Sequence, residues 1–213
     1  LFGRNGESPV AVIAPQSPAD CFEIAREAAR IAVTYRTPVI VLSDGAIANG
    51  SEPWLLPDVA ALPAIEKNLA TAPEAEGEGD DGKPASEYLP YARDPETLAR
   101  DWAIPGEPGL EHRIGGLEKA NGTGNISYTA DNHDLMTRTR ALKIALIDVP
   151  DLEVDDPSGE ADVLVVGWGS SYGPIGEAVR RARANGHRVA RAHVRHLNPL
   201  PHNIGEVLEQ YRR

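Results

Sequence analysis

Val10-Ala11-Val12-Ile13-Ala14, then Ser17-Pro18-Ala19-Asp20, then Thr37-Pro38-Val39-Ile40-Val41-Leu42 is the stretch whose reading decides the fold. The first run is short and wholly apolar, the pattern of a strand buried in a parallel sheet. Ser17 supplies a helix N-cap, Pro18 a first helical position and Asp20 an acid in the third, where free backbone amides favour them. Ile24, Ala28, Ile31 and Tyr35 then recur at helical spacing, flanked by Phe22, Ala25, Ala29 and Ala32. Glu23, Arg26, Glu27, Arg30 and Thr34 take the opposite face. Thr37 is pushed out of helical angles by Pro38, which ends the helix. Val39 to Leu42 predicts a second buried strand, closed by Ser43-Asp44-Gly45, and the unit is β-α-β.

A second unit of the same kind lies near the other end. Val163-Leu164-Val165-Val166 predicts a buried strand, and residues 167–174 turn into a helix carrying Ile175, Val179 and Ala182. Asn185-Gly186 stops that helix, since both residues tolerate left-handed geometry. A strand from Val189 to Val194 follows, then Asn198-Pro199-Leu200-Pro201 and a last helix from near Asn203. Between the units, residues 51–132 are rich in proline and glycine, and the acidic run from Glu74 to Asp81 reads as a solvated loop. Trp54, Tyr88, Tyr91 and Trp102 on its flanks predict packed irregular structure. Leu135, Thr139, Leu142 and Leu146 predict a further amphipathic helix, opened by Asp131-Asn132-His133-Asp134, and residues 150–160 form an acidic boundary turn. The expected organisation is 1–54, 55–134, 135–160 and 161–213. The expected class is α/β, two incomplete parallel-sheet βαβ modules joined by a long irregular linker.

The composition removes several functions. A formal charge of −11 over 213 residues works against attraction to nucleic acid or to an anionic membrane, which need a basic face. Cys21 is the single cysteine, so a disulfide scaffold and a Cys-based zinc or iron–sulfur site are excluded within this chain. Its place in the first turn of a helix favours a thiolate, but a small core residue is the simpler role. No apolar run reaches the roughly 18–20 residues that span a bilayer, and the reading is a cytoplasmic protein. The chain opens on Leu1 rather than on methionine, and reads as part of a longer polypeptide.

Motifs for independent catalysis are missing. Gly167, Gly169 and Gly173 resemble a dinucleotide fingerprint, but Tyr172 stands where the third glycine belongs and no acid follows at the required distance. His193 and His196 sit at odd spacing on one strand, so they point to opposite faces and no metal is expected. The sequence contains no nucleophile elbow, Walker loop or HExxH. Nor does it contain the Gly-Asp-Gly with downstream Asn-Asn that holds magnesium and diphosphate in thiamine enzymes; neither Ser43-Asp44-Gly45 nor Asp80-Asp81-Gly82 supplies it.

Three stretches together resemble one family. Residues 1–9 (Leu-Phe-Gly-Arg-Asn-Gly-Glu-Ser-Pro) look like the lead into the second half of a pyrimidine-binding domain, and residues 35–45 with 48–54 look like its close. Residues 161–173 and 194–201 resemble the start of domain II, a transketolase C-terminal-like module. The family is the thiamine-diphosphate 2-oxoacid:ferredoxin oxidoreductases, nearest the 2-oxoglutarate type, and the chain corresponds to its α subunit. The acidic run at 74–83 departs from the family's pattern.

The resemblance implies an oxidative decarboxylation of a 2-oxoacid to an acyl-CoA with reduction of ferredoxin. Thiamine diphosphate with Mg²⁺ is shared with a β subunit, which also carries a 4Fe–4S cluster, and coenzyme A is a substrate. An α2β2 assembly is implied, without which this stretch is inactive. No catalytic residue carries over, because the activating glutamate belongs upstream of Leu1 in the family's pattern. The substrate-side candidates are Arg4 and Asn5, together with Lys119, Asn121 and Thr123 of the glycine-rich stretch 115–124, since a dicarboxylic 2-oxoacid needs a cation for its distal carboxylate. Two other readings remain: a thiamine-dependent 2-oxoacid dehydrogenase or transketolase-type subunit, and a non-catalytic α/β ligand-binding or assembly module.

Overall fold

The computed structural model describes residues 7–73 and 88–212. The candidates Arg4 and Asn5 and the acidic run at 74–83 lie outside the described residues. In chain order the strands are β1 (Ala11–Ile13), β2 (Val39–Val41), β3 (Val154–Asp155), β4 (Val163–Trp168), β5 (Val189–Val194) and β6 (His196–Asn198). The helices are α1 (Cys21–Tyr35), α2 (Gly45–Asn49), α3 (Ala130–Ala145), α4 (Tyr172–Ala184) and α5 (Ile204–Glu209).

Both βαβ units are present and their strand pairs are parallel: Ala11 stands opposite Val39 on β1 and β2, and Val163 opposite Val189 on β4 and β5. Each sheet also takes one antiparallel strand, giving the orders β2-β1-β6 and β3-β5-β4. The strand β6 leaves the second unit directly after β5 and pairs with β1 of the first. One short segment therefore stitches the two units together.

Two strands expected to be buried are half open. Ile40 and Val41 of β2 and Val163 and Val166 of β4 are exposed, and each strand is the edge of a three-stranded sheet. The first core is built from Ala11, Ile13, Ile24, Ile31 and Tyr35 with Ile144, Ile147 and Val149. The second gathers Leu152, Leu164, Ala190, Ala192, Val194 and Val207. At the rate of about 25 cal/mol per Å² of apolar surface removed from water, such clusters are the main favourable term for each unit.

The start of α1 departs from the simple cap. Ser17 Oγ lies 3.4 Å from the Asp20 amide, and Asp20 turns back to accept from the Gln16 amide at 3.0 Å. Glu52 takes the Ser17 hydroxyl and the Ala19 amide, so hydrogen-bonded helix begins only at Cys21. The stop of α4 is as expected: His187 donates to Ala182 and Gly186, at φ 85°, to Arg183.

The face of α3 is corrected. Leu135, Leu142 and Leu146 are exposed, and the inward residues are Met136 and Ile144. Polar contacts accompany this rotation: His133, Arg140 and Lys143 each hydrogen-bond to another part of the chain. A stripe of leucines alone does not choose among neighbouring helix faces when charged partners act on another.

Candidate functional site

Residues 118–127 fold back on themselves, with Lys119 bridged to Ile126. Ala120 donates to the Asn125 carbonyl at 2.6 Å, Gly124 to Ala120 at 3.0 Å, and Ser127 to Glu118 at 3.0 Å. Gly122 and Gly124 adopt φ of 79° and 72°, a conformation that L side chains rarely take. Tyr91 donates to the Gly122 carbonyl, which ties the tip of the loop to the linker.

Three candidates sit on this loop. Lys119 is only 3% exposed, and its ammonium donates to the carbonyls of Gly115 (2.7 Å) and Leu117 (2.5 Å). It therefore braces the loop from within. The Asn121 amide donates to Asn132 Oδ1, whose own Nδ2 donates to the Lys119 carbonyl, so one asparagine of α3 pins both sides of the turn. Thr123 Oγ1 accepts from the Asn125 amide at 3.3 Å, and Thr123 also lines a cleft of about 310 Å³ with Tyr88, His112 and Arg113.

The structure also brings the lead into β1 to this loop. Glu118 receives His133 Nδ1 at 2.7 Å on one oxygen and Arg140 Nη1 at 3.2 Å on the other. Arg140 Nε donates to the Glu7 carbonyl at 3.0 Å, and His133 Nε2 lies 3.8 Å from the Glu7 carboxylate. Burial pushes the Glu118 carboxyl up, but the hydrogen bonds from His133 and Arg140 outweigh it and hold it below the ordinary glutamate value. Sequence reasoning missed Glu118, His133 and Arg140 as functional candidates. Their signal was present: His133 and Arg140 are seven apart on α3, two helical turns along one face.

Behind the loop lies a group of cations with no carboxylate within 4.0 Å among the described residues. The Arg36 guanidinium donates to the carbonyls of Val33, Lys67, Asn68 and Arg100 and stacks on Trp102 at 4.6 Å. Arg100 lies 4.2 Å over the Tyr91 ring, and Lys143 donates to the Arg36 carbonyl at 3.1 Å. Backbone carbonyls and aromatic faces thus take the place of counterions. Burial, then the nearby Arg93 and Arg100, brings the Lys143 ammonium down to about 8.

A second cleft, of about 420 Å³, runs between the two sheets and is lined by Gln16, Leu152, Tyr172, Arg191, His193 and Arg195 among others. His193 meets Tyr172 edge-on at 5.1 Å, and burial lowers its imidazole value. His196 lies on Glu27 of α1 at 3.1 Å, and the two histidines are separated because they sit on different strands, β5 and β6, rather than by alternation along one. Among the described residues, no group of three or more His, Cys, Asp or Glu side chains is arranged to hold a metal ion. Nor is any helix there long and apolar enough to cross a membrane.

The chain resembles known proteins along its whole length. It is 67% identical over 211 residues to the 2-oxoglutarate oxidoreductase subunit KorA of Mycobacterium tuberculosis, covering 99% of this chain and 30% of that one. It is 30% identical over 222 residues to the 2-oxoacid:ferredoxin oxidoreductase 1, subunit alpha, of Aeropyrum pernix, covering 99% of this chain and 32% of that one. The solved 2-oxoglutarate:ferredoxin oxidoreductase from Magnetococcus marinus, with 2-oxoglutarate, coenzyme A and succinyl-CoA bound, superposes with a TM-score of 0.81 at 28% identity. That match covers 100% of this chain and 35% of the other. The chain therefore spans about a third of the length of these relatives. The sequence pattern described as pyruvate flavodoxin/ferredoxin oxidoreductase, thiamine-diphosphate-binding, matches residues 1–132. With two parallel βαβ units joined by a packed linker, a match over more than half its length and close relatives throughout, the chain belongs to the thiamine-diphosphate-binding family of pyruvate flavodoxin/ferredoxin oxidoreductases.

Proposed function

We propose that this chain forms part of the α subunit of a 2-oxoglutarate:ferredoxin oxidoreductase, which converts 2-oxoglutarate and coenzyme A to succinyl-CoA and CO₂ while reducing ferredoxin. The observation that carries the reading is the superposition of the whole chain, at a TM-score of 0.81, on an enzyme holding 2-oxoglutarate, coenzyme A and succinyl-CoA. Residues 1–54 are assigned to the pyrimidine-binding domain, 55–134 to the linker, 135–160 to a connecting helix and boundary, and 161–213 to the start of domain II.

The donor set fits one half of thiamine diphosphate. The backbone of the glycine turn offers uncharged hydrogen-bonding groups suited to an aminopyrimidine. Among the described residues, no acidic cluster suits Mg²⁺ and a diphosphate. The β subunit is the proposed source of those ligands and of a 4Fe–4S cluster, with ferredoxin as acceptor and α2β2 as the assembly. The bound cofactor supplies the carbanion nucleophile and electron sink that decarboxylation of a 2-oxoacid needs. This chain's residues orient the substrate: Arg4 and Asn5 are proposed for its carboxylates, Asn121 and Thr123 for its polar groups, and Lys119 keeps the loop in shape.

The test is reduction of ferredoxin by the complete, purified enzyme. Reduction that needs 2-oxoglutarate, coenzyme A and thiamine diphosphate together is the expected result. Transfer to a lipoyl group without ferredoxin reduction would assign the chain to a 2-oxoacid dehydrogenase. Absence of any turnover by the complete complex would leave the binding-module reading.

A further inference from the structure

We propose that Glu118, His133 and Arg140 form a positioning clamp that holds the 115–124 loop against the chain entering β1, and that this clamp sets the affinity for the dicarboxylic 2-oxoacid. The second clause rests on the proposed function; the first stands on geometry alone. The loop is stiff within itself, braced by Lys119 and pinned on both sides by Asn132. Such a loop is placed by its outer attachments, which are Asn132 of α3, Tyr91 at the tip and Glu118, the carboxylate among them. Both of its oxygens are engaged, one by His133 and one by Arg140.

The guanidinium is what couples the loop to the other segment. Its Nη1 holds Glu118, its Nε holds the Glu7 carbonyl, and its Nη2 is steadied by Thr137 Oγ1 at 3.1 Å. The planar fork fixes these directions relative to one another, so a shift of the loop is felt at Glu7. Glu118 keeps only a quarter of its side-chain exposure, which strengthens the pairing relative to an open surface bridge. Arg4 and Asn5 precede Glu7 by three and two positions, and Asn121 and Thr123 follow Glu118 by three and five. The clamp thus ties the loop that carries Asn121 and Thr123 to Glu7, which follows Arg4 and Asn5 closely in sequence.

The experiment uses the complete enzyme carrying Glu118→Gln, Arg140→Gln or His133→Asn, with Arg138→Gln on the open face of α3 as control. Steady-state kinetics with 2-oxoglutarate and amide exchange of the 115–127 peptide are read side by side. Glu118→Gln and Arg140→Gln are expected to raise KM for 2-oxoglutarate about five- to tenfold with kcat within about twofold, as loss of partly buried charge-assisted contacts predicts. Both should also speed exchange in the loop. His133→Asn, whose amide keeps a donor near the Nδ1 position, should show a smaller rise on both measures than Glu118→Gln, whereas Arg138→Gln should stay near wild type. Faster exchange with unchanged KM would overturn the role in affinity, as would a fall in kcat alone. Should Arg140→Gln fail to assemble, Glu118→Gln decides by itself. A wild-type enzyme inert towards 2-oxoacids would overturn the functional reading instead; the exchange measurement would still decide the clamp, and unchanged exchange in both variants would remove it.

Discussion

Arg195 Nη2 lies 2.5 Å from Asp20 Oδ1, and this pair joins the exit of β5 to the start of α1. Around it the Ala14 amide donates to the Arg195 carbonyl at 2.8 Å, His196 meets Glu27, and Asn198 Nδ2 donates to the Val10 carbonyl at 2.7 Å. Arg195, His196 and Asn198 of the second unit thus all attach it to the first. Removing the cation leaves Asp20, whose side chain is 10% exposed, without its partner. Arg195→Met should therefore lower stability by about 1–2 kcal/mol, the buried-pair value reduced because the guanidinium is partly in water. A double-mutant cycle with Asp20→Asn in urea unfolding measures it; strict additivity of the two changes would mean the pair contributes nothing.

Acid should weaken the same joint. Burial pushes the Glu27 carboxyl up, but hydrogen bonds from Arg30 and His196 prevail and hold it at about 2. The folded value lies below that of the unfolded chain, near 4.3. The unfolded chain therefore binds more protons in this window, and the stabilisation is complete above about pH 5 and lost as the pH falls towards 2. The loss is at most about 3 kcal/mol. Stability measured from pH 6 to 3 should fall more steeply for wild type than for Glu27→Gln, and parallel curves would disprove the assignment.

Lys143 predicts a slope of the same sign in an alkaline window. Its folded value of about 8 lies below the free lysine value because burial and two guanidiniums disfavour the charge. Between about pH 8 and 10.4 the unfolded chain holds the extra proton, so stability rises with pH across that window. Lys143→Met should remove up to about 3 kcal/mol of that rise and leave the protein no less stable at pH 7. Chemical denaturation at pH 7 and pH 10 distinguishes the two forms.

The glycines of the loop should differ sharply. A Cβ on Gly124 would lie 2.8 Å from Pro90 Cγ and 2.9 Å from Tyr91 Cδ2, whereas a Cβ on Gly122 meets nothing within 4 Å. Both positions carry positive φ, so each alanine costs about 1 kcal/mol of backbone strain. Gly124→Ala should cost roughly 1–3 kcal/mol more and depress 2-oxoglutarate turnover, because proline and an aromatic ring must move. Thermal melts and kinetics of the two variants check this; equal effects would show that the ring gives way freely.

Lys119 and Arg4 separate a brace from a substrate contact. With its ammonium on two loop carbonyls, Lys119→Met should lower kcat/KM by a similar factor for 2-oxoglutarate and for a monocarboxylic 2-oxoacid. Arg4→Met should lose about 10- to 150-fold for 2-oxoglutarate alone, the size of a charge-assisted carboxylate contact. Comparison of both substrates in the complete enzyme decides each case, and a selective loss on Lys119→Met would move the distal-carboxylate contact to the loop.

Local chemistry was enough for the repeating parts of this protein. Apolar runs at Val10–Ala14 and Val163–Val166, helical spacing from Ile24 to Tyr35 and the Asn185-Gly186 stop all depend on neighbours a few residues away, so periodicity and turn chemistry determine them. The glycine-rich stretch 115–124 was likewise recognisable as a turn. Tertiary structure alone decided three things. The strands β2 and β4 became open edges because the strand beside each is chosen by the fold, and apolar content is the same for edge and centre. The strand β6 crossed to the first sheet because backbone amides pair with whatever edge is near, and those bonds carry no sequence code. Glu118, His133 and Arg140 were brought together because ion pairs form between residues 15 and 22 positions apart, a separation that no local pattern records. Their meeting depends on how α3 is rotated, and that rotation is fixed only once the chain has closed on itself and its polar groups find partners.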